Sequence, residues 1–427
     1  MPRQMKNSGI EWIGTIPEQW HVGRVKNSYT NHKIIAGDES DKYQRLALTL
    51  NGVIKRSKGD SAGLQPEAFN GYQILRKGEL VFKLIDLENL QTSRVGLSPF
   101  EGIVSPAYIV LEGREGTCAG YGEKYFLSMW QRAIFNQLGD DGVRSSLNAS
   151  DLLNIPYLVP PIEEQKRIVA YLNKQEHYLN MVIEQTRNSI EEYKKMKKAV
   201  VTQAVTKGVR GERAMKDSEV EWLRFIPSEW NVYRIANLYD ERSESGLEEL
   251  PILTVSINTG VSDHEIADED KDRVFVRSED RTKYKRVYPG DLAYNMMRAW
   301  QGAFGAVRVD GMVSPAYVVA KPKKNVELDS RYMEALLRTS EATEEMHRYS
   351  RGIVDFRLRL YWPEFKNIRI CLPPIAEQIE IADYIDEKSA AIDALITKKE
   401  AFVAELENYK KSMIYEYVTG KKEVPQS

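Results

Sequence analysis

The sequence predicts an α+β protein made of two copies of one module, each followed by a long helix. Two observations carry that prediction. Short motifs recur in the same order at an offset near 210 residues, and two runs of more than forty residues contain neither Gly nor Pro. The chain of 427 residues also exceeds the size at which a single core keeps growing.

The repeats fix the copies. Glu11-Trp12, Ile16-Pro17 and Trp20 return as Glu221-Trp222, Ile226-Pro227 and Trp230, at an offset of 210. Val104-Ser105-Pro106-Ala107-Tyr108 returns as Val313-Ser314-Pro315-Ala316-Tyr317 at 209, and Pro160-Pro161-Ile162-Glu163-Glu164-Gln165 as Pro373-Pro374-Ile375-Ala376-Glu377-Gln378 at 213. The small drift in offset is what loop insertions between two copies of one fold produce. Within each module, 104–111 and 313–320 are apolar, β-branched runs of strand length. Lys77-Gly78-Glu79-Leu80 and Pro289-Gly290-Asp291-Leu292 are turns feeding further strands. The stretches 121–136 and 330–348 are amphipathic and predict helices. The expected domains are 1–160, a first spacer helix over 161–207, 208–372, and a second spacer helix with its tail over 373–427.

Each long run follows a Pro-Pro pair, which stops a strand and starts a helix. Forty-odd helical residues reach roughly 65 Å, too long for a small globular core. A heptad column supplies what stabilises them: Leu172, Leu179, Thr186, Tyr193, Val200 in the first and Ile385, Ile392, Lys399, Leu406, Met413 in the second. A second column is expected at Ile168, Gln175, Val182, Ser189, Met196 and at Ile381, Lys388, Leu395, Phe402, Tyr409. The simplest partner for each helix is the other, as an antiparallel coiled coil with the modules at opposite ends of a rod. The alternative is that each helix docks on its own module.

Composition excludes several classes. With 42% hydrophobic and 29% charged residues the chain can build cores, and no stretch has the ~18 uninterrupted apolar residues of a membrane span. No apolar segment follows Arg3 and Lys6, so a cytoplasmic protein is expected. Cys118 and Cys371 are too few for a thiolate metal site and lie in apolar runs. Net charge is −2, distributed as +1 over 1–160, +4 over 161–217, −3 over 218–372 and −4 over 373–427. Any affinity for nucleic acid therefore rests on local surfaces or on a partner's positive field. There is no phosphate loop, and the Pro-Pro pairs lack the polar and aromatic neighbours of a methyltransferase tetrapeptide. Triplets such as Glu192-Tyr193-Lys194 and Glu364-Phe365-Lys366 arise readily in so charged a chain, and the five histidines form no ligand pair at helical spacing.

The entry motifs, the Val-Ser-Pro-Ala-Tyr segments, the Pro-Pro-Ile-x-Glu-Gln helix starts and the helix ends (Lys197 to Gly208, Lys410 to Lys421) together resemble the specificity subunits of type I restriction-modification enzymes, over essentially the full length. The resemblance implies two target-recognition domains, each reading one half of an asymmetric bipartite DNA site, with the coiled coil as spacer. It implies a non-catalytic chain that binds double-stranded DNA, two methyltransferase subunits and two restriction (motor-nuclease) subunits. S-adenosylmethionine, ATP and Mg are then expected only on those partners, with no cofactor, metal or membrane for this chain. The competing expectations are an enzyme with fused recognition domains and a coiled-coil assembly scaffold.

Base readout needs Arg, Lys, Asn or Gln at base edges, with further cations on phosphates. Arg144 and Arg357 share a register at offset 213, and Arg351 precedes the latter beside Gly352. Where the copies differ, Arg94, Arg298 and Gln301 are candidate readers. Lys283, Lys285 and Arg286 form a cluster suited to phosphates. The Ser-Pro-Ala-Tyr segments are expected to be core.

Overall fold

The computed structural model describes residues 3–60, 68–85, 87, 93–138, 146–265, 283–353 and 357–425. It divides into two compact units, Met1–Arg187 with Ala401–Ser427, and Asn188–Glu400. Each unit holds one module together with portions of both long helices, Ile162–Lys207 and Ile375–Val418.

In the first unit four short strands, β1 (Tyr29–Asn31), β2 (Leu80–Phe82), β3 (Val95–Leu97) and β4 (Ile109–Gly113), form an antiparallel sheet in the order β1-β4-β2-β3. In the second unit β5 (Tyr239–Glu241), β6 (Leu292–Asn295), β7 (Phe304–Ala306) and β8 (Tyr317–Pro322) repeat that order as β5-β8-β6-β7. Helix Ala119–Gln131 packs on the first sheet through Tyr121, Tyr125 and Phe126, which meet Tyr29, Phe82 and Tyr157 in edge-on and stacked pairs. Gly122 permits this approach, since a Cβ there would fall 2.0 Å from the Tyr29 hydroxyl. In the second unit helix Ser330–Leu337 takes the same place with Tyr332, Met333, Leu336 and Leu337 buried.

Three details of the modules depart from the sequence expectation. The 121–136 stretch is two helices, Ala119–Gln131 and Ile134–Gln137, parted at Ala133, whose φ is +55°. The 104–111 run is not one strand: Gly102–Val104 and β4 are separated by a turn at Ser-Pro-Ala-Tyr, as Gly311–Val313 and β8 are in the second unit. In both copies the serine hydroxyl accepts the alanine N–H at 3.3 Å and the tyrosine N–H bonds the serine carbonyl, so this is a Ser-turn and not core. The 330–348 stretch breaks at Arg338, where Thr339 caps a second helix, Ser340–Tyr349.

The shared motifs meet at one joint per unit. Trp20 and Trp230 have no exposed surface. Their indole N–H groups donate to Glu164 Oε2 at 3.0 Å and Glu377 Oε2 at 3.1 Å, in the first turns of the long helices. Arg3 and Arg213 lie 5.4 and 5.3 Å over those indole rings and pair with the same carboxylates at 2.7 and 2.6 Å. The neighbouring glutamines complete the clasp. Gln165 accepts the Cys118 N–H and donates to the Pro160 carbonyl; Gln378 accepts the Asp329 N–H and donates to Pro373. Each tryptophan also meets a tyrosine edge-on, Tyr121 and Tyr332, both at 6.5 Å and 87°. Those hydroxyls donate to Val418 and Val205, carbonyls at the far end of the other long helix.

Within each unit the two helix portions run antiparallel. Tyr171 meets Tyr417, Asn180 meets Lys410 and Arg187 meets Glu407 in the first; Tyr193 meets Lys399 and Lys197 meets Asp393 in the second. Leu172, Ile385, Ile392 and Met413 of the first heptad column are buried, and Leu179, Tyr193, Val200 and Leu406 are half-buried. The second column slips. Val182, Met196, Leu395, Phe402 and Tyr409 are exposed, whereas Ile183, Ile190 and Val403, one residue on, are buried. A helix of 3.6 residues per turn drifts against a strict seven-residue repeat, and the stripe moves with it in both copies.

Two measurements test this joint. Truncating Glu377, whose side chain is 1% exposed, leaves the Trp230 indole N–H unpaired and takes the buried carboxylate from Arg213, which keeps Glu229 and the Lys207 carbonyl. Glu377→Ala is expected to cost about 1–3 kcal/mol in urea unfolding; an unchanged midpoint contradicts the joint's role. Cys371 is fully buried beside the Tyr332 hydroxyl, and burial pushes its thiol up to about 12. It stays protonated at pH 8, so an alkylating reagent should modify half-buried Cys118 first and reach Cys371 only on unfolding.

Candidate nucleic-acid interface

The Ser-Pro-Ala-Tyr turns present Pro106, Ala107 and Pro315 to solvent on matching supports. Gln73 pairs with Val104 across one two-stranded ladder, and Lys285 with Val313 across the other, so the two occupy one position of the fold. Gln73 Nε2 donates to the Ser105 and Tyr108 carbonyls at 2.9 and 2.5 Å, and Lys285 Nζ to the Tyr317 carbonyl at 2.7 Å. Lys285, read from sequence as a phosphate ligand, therefore holds the turn.

The tyrosines closing these turns are matched as well. Burial pushes both hydroxyls up, and neighbouring arginines oppose the shift: Arg94, Arg45 and Arg56 for Tyr108, and Arg298 for Tyr317. Arg45 was not singled out in the sequence; it holds the position that Ile252 holds in the other copy, each bridging in parallel to the strand before the turn, at Ile103 and Met312.

The other candidates separate. Arg94 has no exposed surface, which removes it from the positions a base edge could meet. Arg298 is half-buried and leads a 3₁₀ turn, Ala299–Gln301, that Gly302 ends at φ +90°. Gln301 and Lys283 are exposed. The Arg286 guanidinium lies 4.6 Å over Tyr288, a ring shared with Arg242 at 4.4 Å, and that ring's hydroxyl donates to Glu244. Arg351 is exposed, pairs with Glu364 and exchanges backbone hydrogen bonds with Arg359. Arg357 is exposed, while its sequence counterpart Arg144 lies outside the described residues. Among the described residues there is no group of three or more His, Cys, Asp or Glu able to hold a metal, and no helix long and apolar enough to cross a membrane.

No family model matches the chain. It is 27% identical over 242 residues to the putative type I restriction enzyme MjaX specificity subunit of Methanocaldococcus jannaschii, covering 53% of this chain and 54% of that one. It is 24% identical over 340 residues to the MjaVIII specificity subunit of the same organism, covering 75% and 74%. The chain is similar to type I restriction enzyme specificity subunits. The match spans about half the length of the first relative and three quarters of the second. The fold agrees. A chain from a structural study of type I R-M complex assembly and conformational transition aligns at TM-score 0.67 over 95% of this chain and 99% of that one, at 15% identity. The HsdS subunit of Thermoanaerobacter tengcongensis aligns at 0.51 over 95% and 98%, at 16% identity. The specificity-subunit reading accords with the names these relatives carry.

The equivalence of Gln73 and Lys285 is open to test. Lys285→Gln installs the residue of the other copy and should leave thermal stability within about 0.5 kcal/mol; Lys285→Met should lose about 1 kcal/mol, one net hydrogen bond. Equal stability of both variants would show that the turn does not depend on this contact.

Proposed function

We propose that this chain is the non-catalytic DNA-sequence specificity subunit of a type I restriction-modification complex acting in the cytoplasm. Each unit reads one half of a bipartite, asymmetric target in double-stranded DNA, and the paired helices set the spacer between the halves. Two methyltransferase subunits and two restriction subunits assemble on the shared frame and bring S-adenosylmethionine, ATP and Mg with them.

The observation that carries this reading is one frame built twice, with matching joints, turns and sheet orders around surfaces whose residues differ. A duplicated enzyme would repeat its reactive side chains; here the exposed residues around the two turns diverge. The names of the relatives support the same reading. With a net charge of −2, binding is expected to depend on local Arg and Lys and on the partners' field, so affinity for random DNA by the isolated chain should be weak and salt-sensitive.

Gel-shift titration of the complex with its methyltransferase partner, on cognate against scrambled duplex, tests the proposal. Arg357→Ala or Arg298→Ala should weaken cognate binding by about 1–3 kcal/mol and leave the scrambled duplex unaffected. Equal affinity of the unsubstituted complex for both duplexes would contradict the proposal, as would methylation or cleavage by this chain alone.

A further inference from the structure

In the first unit an open cleft of about 850 Å³ lies between the Ser-Pro-Ala-Tyr turn and the segment Ser146–Asn148. Asn31 and Lys33, at the end of β1 and just beyond it, form its third side. Lys33, Ser146 and Asn148 are exposed and Asn31 is half-buried. Asn31 Nδ2 donates to the Val110 carbonyl, and Asn148 Oδ1 accepts the N–H groups of Ser150 and Asp151. Each amide is thereby held in one orientation. Among the described residues nothing bonds the other half of either amide, so Asn31 keeps an acceptor and Asn148 a donor for the cleft.

The frame around this cleft recurs in the second unit. Asn31 stands opposite Leu111 on β4, as Glu241 stands opposite Ala320 on β8. Ser146 and Asn148 flank Leu147, whose N–H bonds the Leu84 carbonyl at 2.8 Å; Arg359 and Tyr361 flank Leu360, whose N–H bonds the Met296 carbonyl at 2.8 Å. Both leucines are buried. Backbone, anchor and turn coincide while the exposed positions do not. Asn31, Ser146 and Asn148 become Glu241, Arg359 and Tyr361, and Lys33 becomes Ser243.

We propose that these four positions in each unit read bases alongside Arg298 and Arg357, and that their ligand is the base edges in the major groove of duplex DNA. The proposal rests on the function assigned above and goes beyond it by naming the readers. An oriented amide and a lysine match adenine and guanine edges, whereas Arg359 with Glu241 matches guanine and the amino group of cytosine. A partner protein common to both units would need like residues at like positions; readers of two different half-sites need the reverse.

The test is methylated-motif mapping with the complex of full-length chain and methyltransferase, comparing Asn31→Ala, Asn148→Ala and Arg359→Ala with the unsubstituted chain. Exposed Lys26→Ala serves as a substitution away from the cleft. The first two variants should relax one half-site and Arg359→Ala the other, each with a tenfold or greater loss of discrimination at one or two base pairs and the remaining half unchanged. Thermal melting checks that all four variants fold. A bipartite motif unaltered by all three cleft substitutions overturns the assignment and leaves the proposed function standing. A uniform loss of rate across all sequences also overturns it, because that is the mark of phosphate contact. A continuous motif from the unsubstituted complex overturns both.

Discussion

The fold depends on a buried carboxylate. Glu164 and Glu377 sit in the first turns of the long helices, where negative charge is favoured at a helix start, and each accepts an indole N–H and a guanidinium that lies over the same indole ring. A buried charge of this kind is tolerated only with its partners in place. The tryptophan fixes the entry of the module, the glutamate fixes the start of its helix, and the edge-on tyrosine bonds the end of the other helix. In each unit three separate parts of the chain are thus held to one point. The second unit reaches its arginine through the continuous chain past Gly208. The first supplies the same arginine as Arg3, and there Lys421 bonds the Ile13 carbonyl while Gly420 is pressed against Pro17 and Trp20 so closely that a Cβ would fall 2.4 Å from the proline ring.

Because the joint is satisfied by residues both copies share, the rest of each module is free to vary. The sheets keep their order and the Ser-Pro-Ala-Tyr turns keep their hydrogen bonds even where Gln73 is exchanged for Lys285. Variation collects where side chains leave the frame for solvent. A constant scaffold with variable exposed positions is what a pair of sequence readers needs, since the reading surface can change without disturbing the buried charge.

The parts legible in the sequence were those with strong local chemistry. Pro-Pro pairs and an absence of Gly and Pro placed the long helices within one or two residues of Ile162–Lys207 and Ile375–Val418, and repeated motifs marked the joint without revealing what it joins. Three features were not legible. The second heptad column moves by one residue because a helix does not keep an integral seven-residue period, and sequence spacing alone does not fix where the drift falls. The Ser-Pro-Ala-Tyr runs are strand-like in composition, and only the serine hydroxyl bond makes them turns. Burial of Arg94 and the structural use of Lys285 come from contacts distant in sequence, which a residue's type and its neighbours do not report.

The division between shared frame and unshared surface makes one central claim: a single chain directs its complex to a target with two dissimilar halves. The most direct measurement is single-molecule mapping of methylated positions in the genome of a host that expresses this chain with its methyltransferase partner. The account predicts one motif of two different half-sites separated by a spacer of fixed length and indifferent sequence. A single continuous motif, or two identical halves in inverted repeat, would contradict it.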